Sequence, residues 1–347
     1  MTARQVLHRP PCHPLAALGA FALLLLLLAF TSGAGAQNSR DDRPPALDPV
    51  SIAGWSQPIS EITHLLAEPD KGFFRAHGIE LGYVPGTGGG SAITNMLSGA
   101  AQVAFTDPAA FYHALDRGER LVGIYNIYPQ NVFNVIAPAD SGIETAADLA
   151  GKTIGVYSLS SGTRQNLQLL LHQAGLSEAD VSIQVTGLLN FAPLIQGQVD
   201  ATAATDTGLH VARLRGLGDV RVLEVRDLIN LPSDLFVVTE AYYEANKPLL
   251  RRFLTAYRDA TQWMIDHPEE AAGIAVRRSI NGRDVAINLA IIELRNAASQ
   301  SETTAREGLG HFDLDVLQEG ADIFHTLGLI SQPLDMRSVI KTDLLPE

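Results

Sequence analysis

The sequence predicts an α/β protein of two lobes, each a mixed, mostly parallel sheet flanked by helices, with a cleft between them. Short apolar, β-branched runs alternate with helical patterns from residue 50 onwards, the signature of successive βαβ units. At 347 residues and 46% apolar content, the chain is long enough for two domains. A half-unit is also used twice. Leu97-Ser98-Gly99-Ala100-Ala101-Gln102-Val103 aligns with Ile195-Gln196-Gly197-Gln198-Val199-Asp200-Ala201, and both runs lead into Thr-Asp, at Thr106-Asp107 and Thr205-Asp206. Upstream, Ala53-Gly54-Trp55-Ser56 lines up with Gly155-Val156-Tyr157-Ser158, each a strand ending in aromatic-Ser. The offsets are 102 residues at the aromatic and 99 at the aspartate. Two α/β stretches alike by chance are the plain alternative to a repeat.

The amino terminus stands apart. Arg4 and Arg9, the Leu-rich run 15–30 and Ala34-Gly35-Ala36 compose a leader, residues 1–36, cleaved near Ala36. Residues 37–49, with Arg-Asp-Asp-Arg-Pro-Pro, have the composition of a flexible lead-in. Strands are expected at 50–54 and 79–84, with a helix opening at Pro58 and closing before Gly78. A glycine loop, Gly86 to Ser91, then feeds a short helix to Leu97 and a strand at 103–105. Asp107-Pro108 opens a helix, Asp as cap and Pro as first residue. Apolar runs at 121–127, 132–138, 153–157, 181–185, 201–204, 220–225 and 235–238 complete the strands, and Gly175 stops a helix that Ser160 or Ser161 could cap. Leu250, Phe253, Leu254, Tyr257 and Met264 form one apolar helical stripe that ends by Pro268. The repeat places lobe 1 at 50–139 and 239–347 and lobe 2 at 140–238, with crossings near 138–140 and 238–240.

Composition excludes some classes of function. The formal net charge is −13, and −15 without the leader, a surface that repels nucleic acid and anionic membranes. Cys12 is the only cysteine, so the mature 311 residues form no disulfide and no thiolate metal site. His64, His113, His172, His210 and His311 show no metal-ligand spacing. Gly86-Thr87-Gly88-Gly89-Gly90-Ser91 imitates a dinucleotide fingerprint, but Ser91 stands where the third glycine belongs and the helix is short. Gly151-Lys152-Thr153 leads into a strand, not the helix a phosphate loop needs. No nucleophile elbow surrounds any serine. Asp107 and Asp206 could work as an acid and a base, or more simply each caps its helix. Trp55 and Tyr157 could wall a cleft on which a small ring stacks, or plug the lobe interface. Arg164 could meet a ligand anion or form a surface ion pair.

The chain resembles a known family through Lys71-Gly72-Phe73-Phe74, His77-Gly78-Ile79-Glu80, Gly89-Gly90-Ser91, Leu97-Ser98-Gly99 and the run Asp148 to Val156. Asn246-Lys247-Pro248-Leu249, Trp263 and His267-Pro268-Glu269-Glu270 extend the match. The family is that of the solute-binding proteins of bacterial ABC importers with the type 2 periplasmic binding fold, in the branch serving sulfonates, nitrate and thiamine-precursor pyrimidines. The resemblance implies a periplasmic monomer, without cofactor or metal, whose lobes close on one small solute and hand it to membrane permease subunits. By position it implies a pocket of Trp55, Ser56, Gln57, Gly89, Gly90, Ser91, Thr106, Asp107, Tyr157, Ser160, Ser161, Gly162, Thr163, Thr205 and Asp206. Ser91 and Thr163 would hold an acceptor end of the ligand, and Trp55 and Tyr157 its body. Pocket acids suit ligand N–H donors, hence a heteroaromatic or aromatic acid over a bare sulfonate. Two alternatives remain: a pyrimidine-precursor synthase on the same fold, and a ligand receptor for a sensor kinase.

Overall fold

A computed structural model describes residues 46–346. The expected leader and its cleavage site lie outside the described residues, as does most of the lead-in. The lead-in ends earlier than expected: β1 (Asp48–Ala53) starts at Asp48, whose N–H donates to Gly78 O at 2.9 Å. β2 (Ile79–Val84) runs parallel to β1 and begins just after Gly78, which takes the left-handed conformation (φ 73°) that ends a helix. The single helix expected between them is broken into short turns, because Gly72 also turns left-handed and the Glu68 carboxylate takes the N–H groups of Phe74 and Arg75.

The glycine loop opens α1 (Gly89–Leu97), two residues earlier than predicted, and β3 (Val103–Thr106) follows. Asp107 caps α2 (Pro108–Asp116), its Oδ1 accepting from Ala110 N at 2.9 Å, as the Asp-Pro pair predicts. Next come β4 (Leu121–Tyr128), β5 (Phe133–Pro138), β6 (Thr153–Val156), α3 (Gly162–Gln173), β7 (Ser182–Val185) and β8 (Ala201–Thr205). α4 (Asp206–Leu214), β9 (Val220–Glu224) and β10 (Asp234–Thr239) complete the α/β part.

The strands form two sheets of matching design, ordered β2-β1-β3-β10-β4 and β7-β6-β8-β5-β9. In each sheet four strands run one way, and one, β10 or β5, runs against both its neighbours. β10 and β5 are exchanged between the two halves of the chain. The crossings therefore fall at 129–132 and 225–233, and the expected positions near 138–140 and 238–240 were one strand too late each time. The two crossing segments are laced side by side: Ser233 N donates to Tyr128 O at 2.8 Å, Asn131 N to Asn230 Oδ1 at 2.7 Å, and Val132 N to Ser233 Oγ at 3.1 Å.

The carboxyl-terminal helices pack on the first sheet. α5 (Lys247–Asp266) buries the predicted stripe, with Phe253 edge-on to Phe236 at 5.4 Å and Tyr257 at 4.5 Å from the same ring. Each such aromatic contributes about 1.5–3 kcal/mol by leaving water. α6 (Val285–Ala298) is pinned by Asn288, which is fully buried and donates to Ala272 O and Gly282 O, and by Asn296, which donates to Met264 O. α7 (Leu314–Thr326) rests on α2 through Tyr112, whose hydroxyl donates to Leu317 O at 2.9 Å.

Candidate functional site

The repeat brings two loops mouth to mouth. After β1 and β6 the chain turns at Trp55 and Tyr157, and the glycine loop meets the serine loop head-on. Gly90 N donates to Ser160 O at 3.1 Å, while the hydroxyls of Ser158 and Ser160 both donate to Thr87 O. Glycine is needed for this approach: Gly88 has φ 121°, and a Cβ there would lie 2.4 Å from Ser160 O. Gly89 is as tightly placed, because a Cβ would lie 2.0 Å from Asp107 Oδ2.

Behind this rim lies a cavity of about 320 Å³. Trp55, Ile59, Phe133, Tyr157, Phe191 and Ile291 provide its apolar walls. Asp107 and Asp234 also line it, both nearly inaccessible to solvent at 4% and 8% exposure. Among the described residues no hydrogen bond reaches the Asp234 carboxyl. Burial pushes the Asp107 carboxyl up to about 7, against the hydrogen bonds of its helix cap. Burial, and then the charge of Asp107, raise Asp234 well above the usual carboxylate range, and Arg295 opposes them.

Arg295 is carried by α6. It is 1% exposed and also lines the cavity. Its Nε donates to Glu61 Oε2 at 2.8 Å, and its Nη2 to Asp206 Oδ1 at 3.1 Å and Thr207 Oγ1 at 3.0 Å. Thr207 Oγ1 in turn donates to Glu61 Oε1 at 2.8 Å, and the guanidinium lies 5.4 Å from the Tyr128 ring centre. Burial opposes its charge, but the carboxylates of Glu61 and Asp206 outweigh that and raise its pKa. Nη1 is buried with no hydrogen-bond partner among the described residues.

The sequence-predicted residues divide sharply. Trp55, Gly89, Asp107, Tyr157, Ser161, Gly162, Thr163 and Thr205 line the one cavity. Ser56, Gln57, Gly90, Ser91, Thr106, Ser160 and Asp206 do not. Ser56 is fully buried, its carbonyl taking the Tyr83 hydroxyl at 2.9 Å, and Gln57 lies beyond it in the loop. Gly90 and Ser160 are spent on the rim contact. Ser91 Oγ accepts Thr87 N at 3.3 Å, and the residue lies outside the cavity lining. Thr106 is fully buried, and its hydroxyl has no hydrogen-bond partner among the described residues. Asp206 does not cap α4: Thr205 does, accepting Gly208 N, and Asp206 is the first helical residue, turned to Arg295. Thr163 lines the cavity, with its hydroxyl accepting Tyr157 N at 3.1 Å. Arg164 pairs with Glu178, the ion-pair reading of its role.

Sequence reasoning missed Glu61, Asp234 and Arg295. Asp234 had one visible signal, a carboxylate opening the apolar run 235–238. Arg295, in an apolar helical stretch, and Glu61 had none that a surface ion pair would not share.

Comparisons with known proteins agree with this architecture. The riboflavin-binding protein RibY of Chloroflexus aurantiacus is 25% identical over 308 residues, covering 87% of each chain. A formylaminopyrimidine-binding protein of Halalkalibacterium halodurans is 24% identical, over 73% of this chain and 78% of its own. The fold matches that of the alkanesulfonate-binding protein SsuA from Xanthomonas axonopodis pv. citri, solved bound to MOPS, with a TM-score of 0.66 at 18% identity over 86% of this chain and all of that one. Residues 59–271 match the family described as NMT1/THI5 like, and the chain belongs to that family.

Proposed function

We propose that the protein is the periplasmic solute-binding component of an ABC importer and that it captures a flat heteroaromatic solute carrying N–H donors. One observation carries the reading: two solvent-shielded carboxyls, Asp107 and Asp234, face the same aromatic-walled cavity, and the second has no hydrogen-bond partner among the described residues. A buried acid without a partner is costly, and a ligand N–H would relieve it. Trp55 and Tyr157 face the ring. The names of the relatives, a flavin binder and a pyrimidine binder, support the same class. The protein binds its solute unchanged, as a monomer, and delivers it to permease subunits.

The test is a thermal-shift and calorimetric comparison of riboflavin, a formylaminopyrimidine and MOPS. Riboflavin or the pyrimidine is expected to stabilise the fold, by about 2.7 kcal/mol at a hundred times its Kd. Stabilisation by MOPS alone would overturn the N–H reading, and recovery of a chemically altered ligand would overturn the binding role.

A further inference from the structure

The buried guanidinium of Arg295 has three nitrogens, and among the described residues only two of them are hydrogen-bonded. Nε is taken by Glu61, which follows β1 in the first lobe. Nη2 is taken by Asp206 and Thr207, which open α4 in the second lobe. The helix that carries Arg295 is held to the first lobe by Asn288 and Asn296. One side chain thus joins Glu61 to Asp206 and Thr207 beside the cavity it lines. Nη1 remains, shielded from solvent and unpartnered, on a residue that lines the cavity. A charged donor in that position is a strong hydrogen-bond donor with nothing to bind.

We infer that Arg295 is a positioning residue that couples ligand recognition to lobe closure: Nη1 donates to a carbonyl or ring acceptor of the solute, while Nε and Nη2 tie the two lobes through Glu61 and Asp206. With Asp107 and Asp234 accepting N–H groups across the same cavity, the ligand edge this describes is a cyclic amide or imide, an N–H beside a C=O. The ligand half of this inference rests on the proposed function; the latch half does not.

Two variants separate the halves. Arg295→Lys keeps the charge but cannot serve both carboxylates and the ligand at once. Asp206→Asn lies outside the cavity and weakens only the tie to the second lobe. Spin labels at Ala100→Cys and Ser182→Cys, one exposed position on each sheet unit, report closure by pulsed distance measurement with and without riboflavin, the formylaminopyrimidine and MOPS. Both variants are expected to reduce the short-distance population at least twofold relative to the parent. An unchanged distribution in both overturns the latch. For whichever probe binds, Arg295→Lys is expected to weaken affinity at least tenfold and Asp206→Asn about threefold. Unchanged affinity in Arg295→Lys overturns the ligand contact. If none of the three probes binds, the proposed ligand class fails, and the label distances still decide the latch.

Discussion

Asp107 and Asp206 occupy equivalent places in the repeat, each after a threonine at the end of a strand that leads into a helix, yet they do different work. Asp107 caps α2 and is shielded from solvent, and that burial pushes its carboxyl up to about 7. Asp206 sits one residue further into its helix, because Thr205 takes the cap, and its side chain, a quarter exposed, turns to Arg295. Repetition of a backbone design therefore reproduces the route of the chain but not the chemistry of its side chains. A shift of one position at the cap, and one arginine brought from residue 295, convert a cavity-lining acid into the partner of a buried guanidinium.

The comparison can be broken most forcefully at the arginine. Arg295→Ala leaves Glu61 and Asp206 without their counter-charge, and removing one partner of a buried pair costs about 3–5 kcal/mol. The melting temperature is expected to fall on the order of 10 °C, and a change of only a degree or two would mean the pair is solvated in solution. The effect of Asp107 is spread over pH. Its pKa is raised on folding from 3.8 to about 7, so the protonated form is the stable one in the native state. Its contribution is complete below pH 3.8 and is lost as the pH rises through about 7, at up to about 1.4 kcal/mol per pH unit. Denaturant titrations of the ligand-free protein between pH 4 and 8 should show this decline, and Asp107→Asn should flatten it. A profile unchanged by the substitution would place the titration elsewhere.

Trp55→Ala is expected to weaken an aromatic ligand by about 1–3 kcal/mol, read by calorimetry; equal affinity would reduce Trp55 to a filler against Phe105, 6.4 Å away. The smallest effect is expected at the second cap. Thr205→Ala should cost about 1 kcal/mol with little change in pH dependence, since Asp206 keeps Arg295.

Much of the fold was legible. β2 runs from Ile79 to Val84 as its apolar pattern predicts, Asp107-Pro108 opens its helix as expected, and the stripe from Leu250 to Met264 is buried. These are local features: periodicity and capping act within a few residues. The crossings were placed one strand late because β5 and β10 read as ordinary apolar runs, and nothing local states which sheet a strand joins. The site was half legible for a related reason. The repeat pointed to both loops, and Trp55, Asp107, Tyr157 and Thr163 meet at one cavity. Glu61, Asp234 and Arg295 lie in three separate parts of the chain, and only folding brings them together.

The sequence by itself determined the duplicated α/β plan, the glycines that let the two loops touch, and the aromatic and acidic character of the strand ends. Tertiary structure alone decided which acid stays protonated, which is paired, and where a cation is left with a free donor. Backbone preferences are set by neighbours along the chain, whereas the charge state and partners of a buried group depend on solvent exclusion and on residues hundreds of positions away.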